Sequence, residues 1–269
     1  MNAIQLAFSP CPNDTFIFYA MVFGKVDLEG LRFNFVTADV EALNQSAMKG
    51  IPDMVKVSYH AWLYLRAKYE LLNSGSALGF SNGPLLISKK PIPVDELAAK
   101  TIAIPGEFTT AHLLLKFFLP SFHKKIMVFD EIEGSILREE ADAGVIIHEN
   151  RFTYEKRGLQ KIADLGEYWQ NMTGTPIPLG GILAKKELGE EMISRLNRIM
   201  HRSVVYAREH PEETMDFVRS NAQEMDEEVM KKHIRLYVND FTVDLGKEGR
   251  DAIAKLNEYE EQLIRGRDR

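Results

Sequence analysis

The stretch KTIAIPGEFTTAHLLLKFFLPSFHKKIMVFDEIEGSILREEADAGVIIH, residues 100–148, decides the fold. Short apolar runs at 100–105, 125–130 and 143–148 read as buried strands. The segments between them, 109–119 and 131–141, carry the spacing of helices. Strand–helix–strand–helix–strand predicts parallel strands joined by right-handed crossovers. In such sheets ligands collect at the carboxyl ends of the strands. Two features of the stretch fall there: the glycine turn and helix start at 106–111, and His148, where the last strand runs out.

The alternation continues on both sides. Strands are expected at 4–9, 31–39, 53–59 and 83–90, with a weaker one at 159–166. Helices are expected at 13–24, at 40–50 and from residue 60, and the chain reads as helical throughout from about 187 to 265. Pro/Gly-rich breaks near 89–93 and 173–181 read as hinge connections. Residues 88–178 are therefore expected to form an inserted inner lobe, and 1–87 with 179–269 a discontinuous outer lobe. The expected class is α/β, with a mainly parallel sheet in each lobe, a helical C-terminal tail and a ligand between the lobes.

The 269 residues are 45% hydrophobic and 27% charged, as in ordinary globular proteins, with a net charge of -6. No basic run points to nucleic acid, while a local field still permits a small anionic substrate. Cys11 is the one cysteine, so neither an intrachain disulfide nor a multi-thiolate metal site is expected. No His/Asp/Glu group has metal spacing and no glycine fingerprint for a dinucleotide follows a strand, so neither a metal nor an organic cofactor is expected. No segment approaches the ~20 apolar residues that span a bilayer. The N-terminal AIQLAFS lacks the parts of a signal peptide. A cytoplasmic protein without a membrane partner is the expectation.

Several residues could carry chemistry. Histidine has an unperturbed pKa near ~6.5, so His148 can accept a proton at neutral pH; a hydrogen-bonded core histidine is the plain alternative. Arg151 and Tyr154 follow closely, as anion contacts or as a solvated loop with one packed aromatic. Thr109 and Thr110 open a helix, where first-turn amides favour an anion; a threonine N-cap is the ordinary reading. Lys56 and Ser58 share one face of a strand, with Ser58 able to bond a carboxylate or to cap the next helix. The rigid turn SPCPNDTF presents Asn13 to a ligand, or simply uses Asn13 or Asp14 to cap the helix. Cys11 lacks a paired histidine nearby in sequence and is a weak nucleophile candidate.

FSPCPNDTFIFYA (8–20), KVSYHAW (56–62), GPLLIS (83–88), PGEFTTAHLLL (105–115), GVIIHENRFTY (144–154), PIPLGGILA (176–184), RSVVYAREHPEE (202–213) and YVNDF (237–241) together resemble the 1,4-dihydroxy-6-naphthoate synthases of the futalosine route to menaquinone. The resemblance implies the two-lobed fold of type II periplasmic binding proteins. It also implies a reaction that converts cyclic dehypoxanthinyl futalosine to 1,4-dihydroxy-6-naphthoate and dihydroxyacetone. The family's base maps onto His148. Its substrate contacts map onto Lys56, Val57 and Ser58 and onto Thr110 and Ala111, with Thr109 adjacent. Two rivals share the fold. A chorismate dehydratase of the same pathway is expected to lack IIHENRFTY, and a non-catalytic solute-binding protein is expected to carry a secretion signal.

Overall fold

The structure is a computed structural model that describes residues 3–222 and 226–267. The helical tail expected from sequence includes residues 223–225, which lie outside the described residues. The chain runs β1 (Ile4–Phe8), α1 (Pro12–Val22), β2 (Phe33–Thr37), α2 (Val40–Met48), β3 (Met54–Ser58), α3 (Tyr59–Leu65), β4 (Tyr69–Leu71) and β5 (Ala77–Gly79). It continues through β6 (Leu85–Ser88), β7 (Thr101–Ile104), α4 (Thr110–Phe118), β8 (His123–Ile126), α5 (Ile132–Leu137), β9 (Ala143–Ile146), β10 (Gln160–Asp164) and α6 (Leu165–Thr173). β11 (Ile177–Lys185) leads into α7 (Glu190–Glu209), α8 (Pro211–Asn221), α9 (Glu227–Tyr237), α10 (Asp240–Val243) and α11 (Gly246–Arg267).

Two compact units result. The first comprises the chain up to Gly79 together with Pro178–Arg250. Its sheet has the order β2-β1-β3-β11-β4, with β5 on β11. β1 is parallel to β2 and β3, whereas β11 runs antiparallel to β3 and β4. α1 starts on Pro12, whose missing N–H costs nothing in a first turn. It is buried almost all round because α7, α8 and α9 pack on it. α7 turns Leu196, Ile199, Met200, Ser203, Val204 and Ala207 inward at helical spacing. The polar member of that stripe is satisfied: Ser203 Oγ donates to the Ile17 carbonyl (2.6 Å) and accepts from the Met21 N–H (3.0 Å).

The second unit comprises Phe80–Ile177 and the chain from Asp251 onward. Its sheet has the order β10-β6-β9-β7-β8. β7 is parallel to β8 and β9, and β6 runs antiparallel to β9 and β10. Leu85, Ile87, Ala103, Ile132, Ile136 and Ile146 form its core with Tyr154 and Leu159.

The structure differs from the sequence reading at identifiable places. The sheets are mixed, because β6 and β11 enter them in the reverse direction, and strand–helix alternation says nothing of such entries. The first division falls at Gly79/Phe80 rather than at residue 88, since β6 pairs with β9 and β10. Residues from Asp251 group with the second unit rather than the first: the Tyr259 ring packs 6.0 Å from that of Phe117 and 5.6 Å from that of Trp169. The strand expected at 125–130 is displaced to β8, and Phe129–Glu131 forms a single 3-10 turn. β4, β5, α6 and the nine-residue β11 are additional elements.

Candidate active site

In the first unit β1 and β3 are parallel neighbours in register, Leu6 beside Met54. The segments that follow them therefore leave the sheet at one end: residues 9–14 after β1, and Ser58 closing β3. Ser9, Asn13, Asp14, Lys56 and Ser58 are all buried. Lys56 Nζ lies 2.6 Å from Asp14 Oδ1, an ion pair with side chains only 7% and 2% exposed. Ser9 Oγ donates to Asp14 Oδ2 (2.8 Å) and Asn13 Nδ2 donates to Asp14 Oδ1 (2.9 Å). Three donors on one carboxylate offset the cost of burying it. Ser58 is held from α2: its N–H donates to Asn44 Oδ1 (2.9 Å), and Asn44 Nδ2 donates to Ser58 Oγ (3.3 Å). Ser58 occupies the N-cap position of α3 without a side-chain cap bond, so its hydroxyl serves this pairing rather than the helix. Val57 is buried between these residues, with Gly181 of β11 beside it and Gly180 beside Ser58. A Cβ on Gly180 would lie 2.9 Å from the Val57 carbonyl oxygen and 3.0 Å from Lys56 Cε. Glycine is what lets the Lys56 side chain run past β11.

In the second unit β7 and β9 are likewise parallel neighbours, Ile102 beside Ala143. The turn that opens α4 and the turn that carries His148 thus leave the same end of adjacent strands. Thr109 is the N-cap of α4. Its Oγ accepts from the His112 N–H (3.2 Å) and donates to the Gly106 carbonyl (3.0 Å), so capping uses this hydroxyl in both senses. Thr110 and Ala111 follow in the first turn, both buried. Their amides point out of the helix end with its positive dipole.

His148 is not the last residue of the strand. β9 stops at Ile146, and His148 opens a 3-10 turn, His148–Phe152, with φ of 58°. A left-handed backbone at a non-glycine residue costs roughly 1–2 kcal/mol, and histidine is among the residues that tolerate it. Such strain persists where surrounding contacts impose it. The ring meets Phe129 edge to face at 4.9 Å. Arg151 braces the turn: its Nη1 donates to the Gly83 carbonyl (2.6 Å) and its Nη2 lies 3.5 Å from Asp164 Oδ2. Tyr154 belongs to the core, and its hydroxyl donates to Glu155 Oε1 (3.0 Å). Burial first, and then that bond, push the phenol above its ordinary pKa. The structure thus gives Arg151 and Tyr154 bracing and packing contacts.

Of the residues around this site, Asn44 is absent from the sequence reading, which takes Asp14 only as a possible cap of the first helix and His233 only as a weak candidate in a C-terminal helical segment. A signal was present: Asn13-Asp14-Thr15 is a polar run at the head of an otherwise apolar helix. Asn44 also stands between Leu43 and Ala47 on the buried face of α2.

Residues 4–262 match a family described as Menaquinone biosynthesis. A 1,4-dihydroxy-6-naphthoate synthase from Thermus thermophilus is 44% identical over 256 residues, covering 95% of this chain and 93% of that protein. A crystal structure of an Archaeoglobus fulgidus protein is 36% identical and superposes with a TM-score of 0.92, over 97% of both chains. The periplasmic aliphatic sulphonate-binding protein of Escherichia coli has 11% identity and a TM-score of 0.68 over 98% of this chain and 88% of its own. The fold is accordingly that of the periplasmic binding proteins.

Proposed function

From the premise that the chain belongs to the menaquinone biosynthesis family, we propose that it is a 1,4-dihydroxy-6-naphthoate synthase acting in the cytoplasm. On this reading it is a carbon–carbon lyase that converts cyclic dehypoxanthinyl futalosine to 1,4-dihydroxy-6-naphthoate and dihydroxyacetone. The observation that carries the mechanism is His148, held in a left-handed conformation in the turn just after β9, which neighbours the strand that leads into α4. His148 is the general base. It takes a substrate hydroxyl proton, the adjacent carbon–carbon bond breaks in the retro-aldol sense, and its electrons pass into the ring carbonyl as an enolate. Loss of the three-carbon fragment lets the ring become aromatic, which makes the step irreversible.

Lys56, Val57, Ser58, Thr109, Thr110 and Ala111 serve binding. The substrate is a small anion, and its carboxylate is assigned to the first-turn amides of Thr110 and Ala111 or to Ser58, where fixed dipoles meet charge without reorganisation. Lys56 supplies a buried positive charge, with Val57 shaping the backbone beside Ser58 in the first unit and Thr109 capping the helix start in the second.

Purified protein incubated with cyclic dehypoxanthinyl futalosine is expected to release the naphthoate chromophore and dihydroxyacetone. Turnover of chorismate instead would assign the chain to the dehydratase of the same pathway. Binding of either compound without turnover would leave it a solute-binding protein.

A further inference from the structure

His233 on α9 is fully buried, and its Nε2 lies 2.9 Å from Oδ1 of Asn13, 220 residues away in sequence. We propose that His233, acting through Asn13 and Asp14, is a positioning residue for the Lys56 ammonium. The proposal rests on the binding role given to Lys56 above.

The direction of each bond follows from what the groups can do. An ionised carboxylate only accepts, so Asn13 must turn its amide nitrogen to Asp14 Oδ1 (2.9 Å). Its carbonyl oxygen then faces His233, and that oxygen can only accept. His233 therefore donates from Nε2, which fixes which ring nitrogen must carry a proton. Asp14 collects Asn13 Nδ2, Ser9 Oγ (2.8 Å) and Lys56 Nζ (2.6 Å). Ser9 in turn accepts from the Cys11 N–H (3.3 Å), so the carboxylate is oriented from several sides.

Lysine places its charge on a flexible stem with three donors and no preferred fork. Here one donor goes to Asp14, and the other two are set in direction for the oxygens of a ligand. A head group oriented before binding loses less freedom when the ligand arrives. α9 contributes the far end of the chain of bonds and holds it by packing, the His233 ring lying 4.5 Å from that of Tyr237. Without the His233 donor the Asn13 carboxamide is held from the Asp14 side alone and gains freedom to rock about that one bond. Asp14 and Lys56 then sample more than one arrangement.

The test compares His233→Leu, which has no donor, with His233→Gln, which offers an N–H at similar reach. With cyclic dehypoxanthinyl futalosine, His233→Leu is expected to raise KM about 2- to 10-fold, the worth of one side chain's freedom, with kcat within about twofold. His233→Gln should restore KM. Equal KM values in the two variants, or a fall in kcat at constant KM, would overturn the proposal. A second readout needs no substrate. In protein with 15N-labelled lysine, the Lys56 ammonium should give a slowly exchanging signal in wild type and His233→Gln that is lost in His233→Leu. Its persistence in His233→Leu would equally overturn the proposal. If His233→Leu does not fold, Asn13→Ala breaks the same link from its other end and is expected to show the same KM and ammonium changes. If wild-type protein does not turn the substrate over, the lyase reading fails, and the ammonium signal alone decides on the relay.

Discussion

A Cβ placed on Gly83 would lie 2.3 Å from Cα of Gly166, and one on Gly166 would lie 2.7 Å from Cα of Gly83. The backbone before β6 and the start of α6 touch directly. Arg151 spans this contact, donating to the Gly83 carbonyl and facing Asp164. Asp164 caps α6 by accepting from the Gly166 and Glu167 N–H groups. The turn that begins at His148 is therefore braced on a place where two segments of the backbone meet without side chains.

Gly166→Ala should lower stability by about 1–3 kcal/mol, because the Ile177 Cδ1 at 2.6 Å can turn aside but the Gly83 backbone at 2.7 and 2.8 Å cannot. Urea unfolding measures this. Activity should fall in the same variant, since the brace for the His148 turn moves. An unchanged midpoint would show that the two segments can part at no cost.

His148→Asn should separate chemistry from backbone. Asparagine also tolerates the left-handed region, so the turn is retained. With folding intact by circular dichroism and substrate binding preserved, kcat is expected to drop roughly 100- to 10,000-fold. Near-wild-type turnover would remove His148 as the base. His148→Val should in addition lose stability, because a β-branched residue is strained at φ of 58°.

The Asp14–Lys56 pair predicts an asymmetry in unfolding experiments. Asp14→Asn leaves a buried ammonium without its counter-charge and should cost about 3–5 kcal/mol. The double replacement Asp14→Leu with Lys56→Met removes both charges and should recover most of that loss. If the double variant is as unstable as the single one, the surrounding donors rather than the pair dominate the energetics.

Glu133 on α5 sets a pH dependence. Its side chain is fully buried, and its Oε2 lies 2.8 Å from Arg157 Nη1. Burial raises its pKa above the ordinary 4.5, and the Arg157 charge opposes that rise only in part. The folded state therefore holds the proton more tightly than the unfolded chain. The contribution of the neutral acid to stability is complete below the unfolded pKa and is lost as pH rises through the folded one. Wild type and Glu133→Gln should melt alike in acid, with the glutamine variant gaining relative stability as pH rises from about 4.5 toward neutrality. Parallel melting curves across that range would count against it. Glu29 acts in the opposite sense: bonds from Arg198 and Arg202 hold its pKa down to about 2, so its contribution is present above the unfolded pKa and fades as pH falls toward that value.

The sequence by itself determined the order of strands and helices across residues 100–148, though not the bounds of β8 and β9, because periodicity and burial of a short run are local properties. It also marked Lys56–Val57–Ser58, residues 109–111 and His148 as strand-end and helix-start positions, since a glycine turn or a polar residue ending an apolar run is visible without partners. Tertiary structure alone decided what these residues touch. Asp14 with Lys56, Asn44 with Ser58 and His233 with Asn13 join segments whose separation along the chain leaves no trace in local pattern. It decided, too, that β11 inserts antiparallel beside β3 and that the distal part of α11 packs through Tyr259 on Phe117 and Trp169. Those pairings are selected by which surfaces bury one another and by which donors a buried carboxylate requires, and neither is a property of any one stretch.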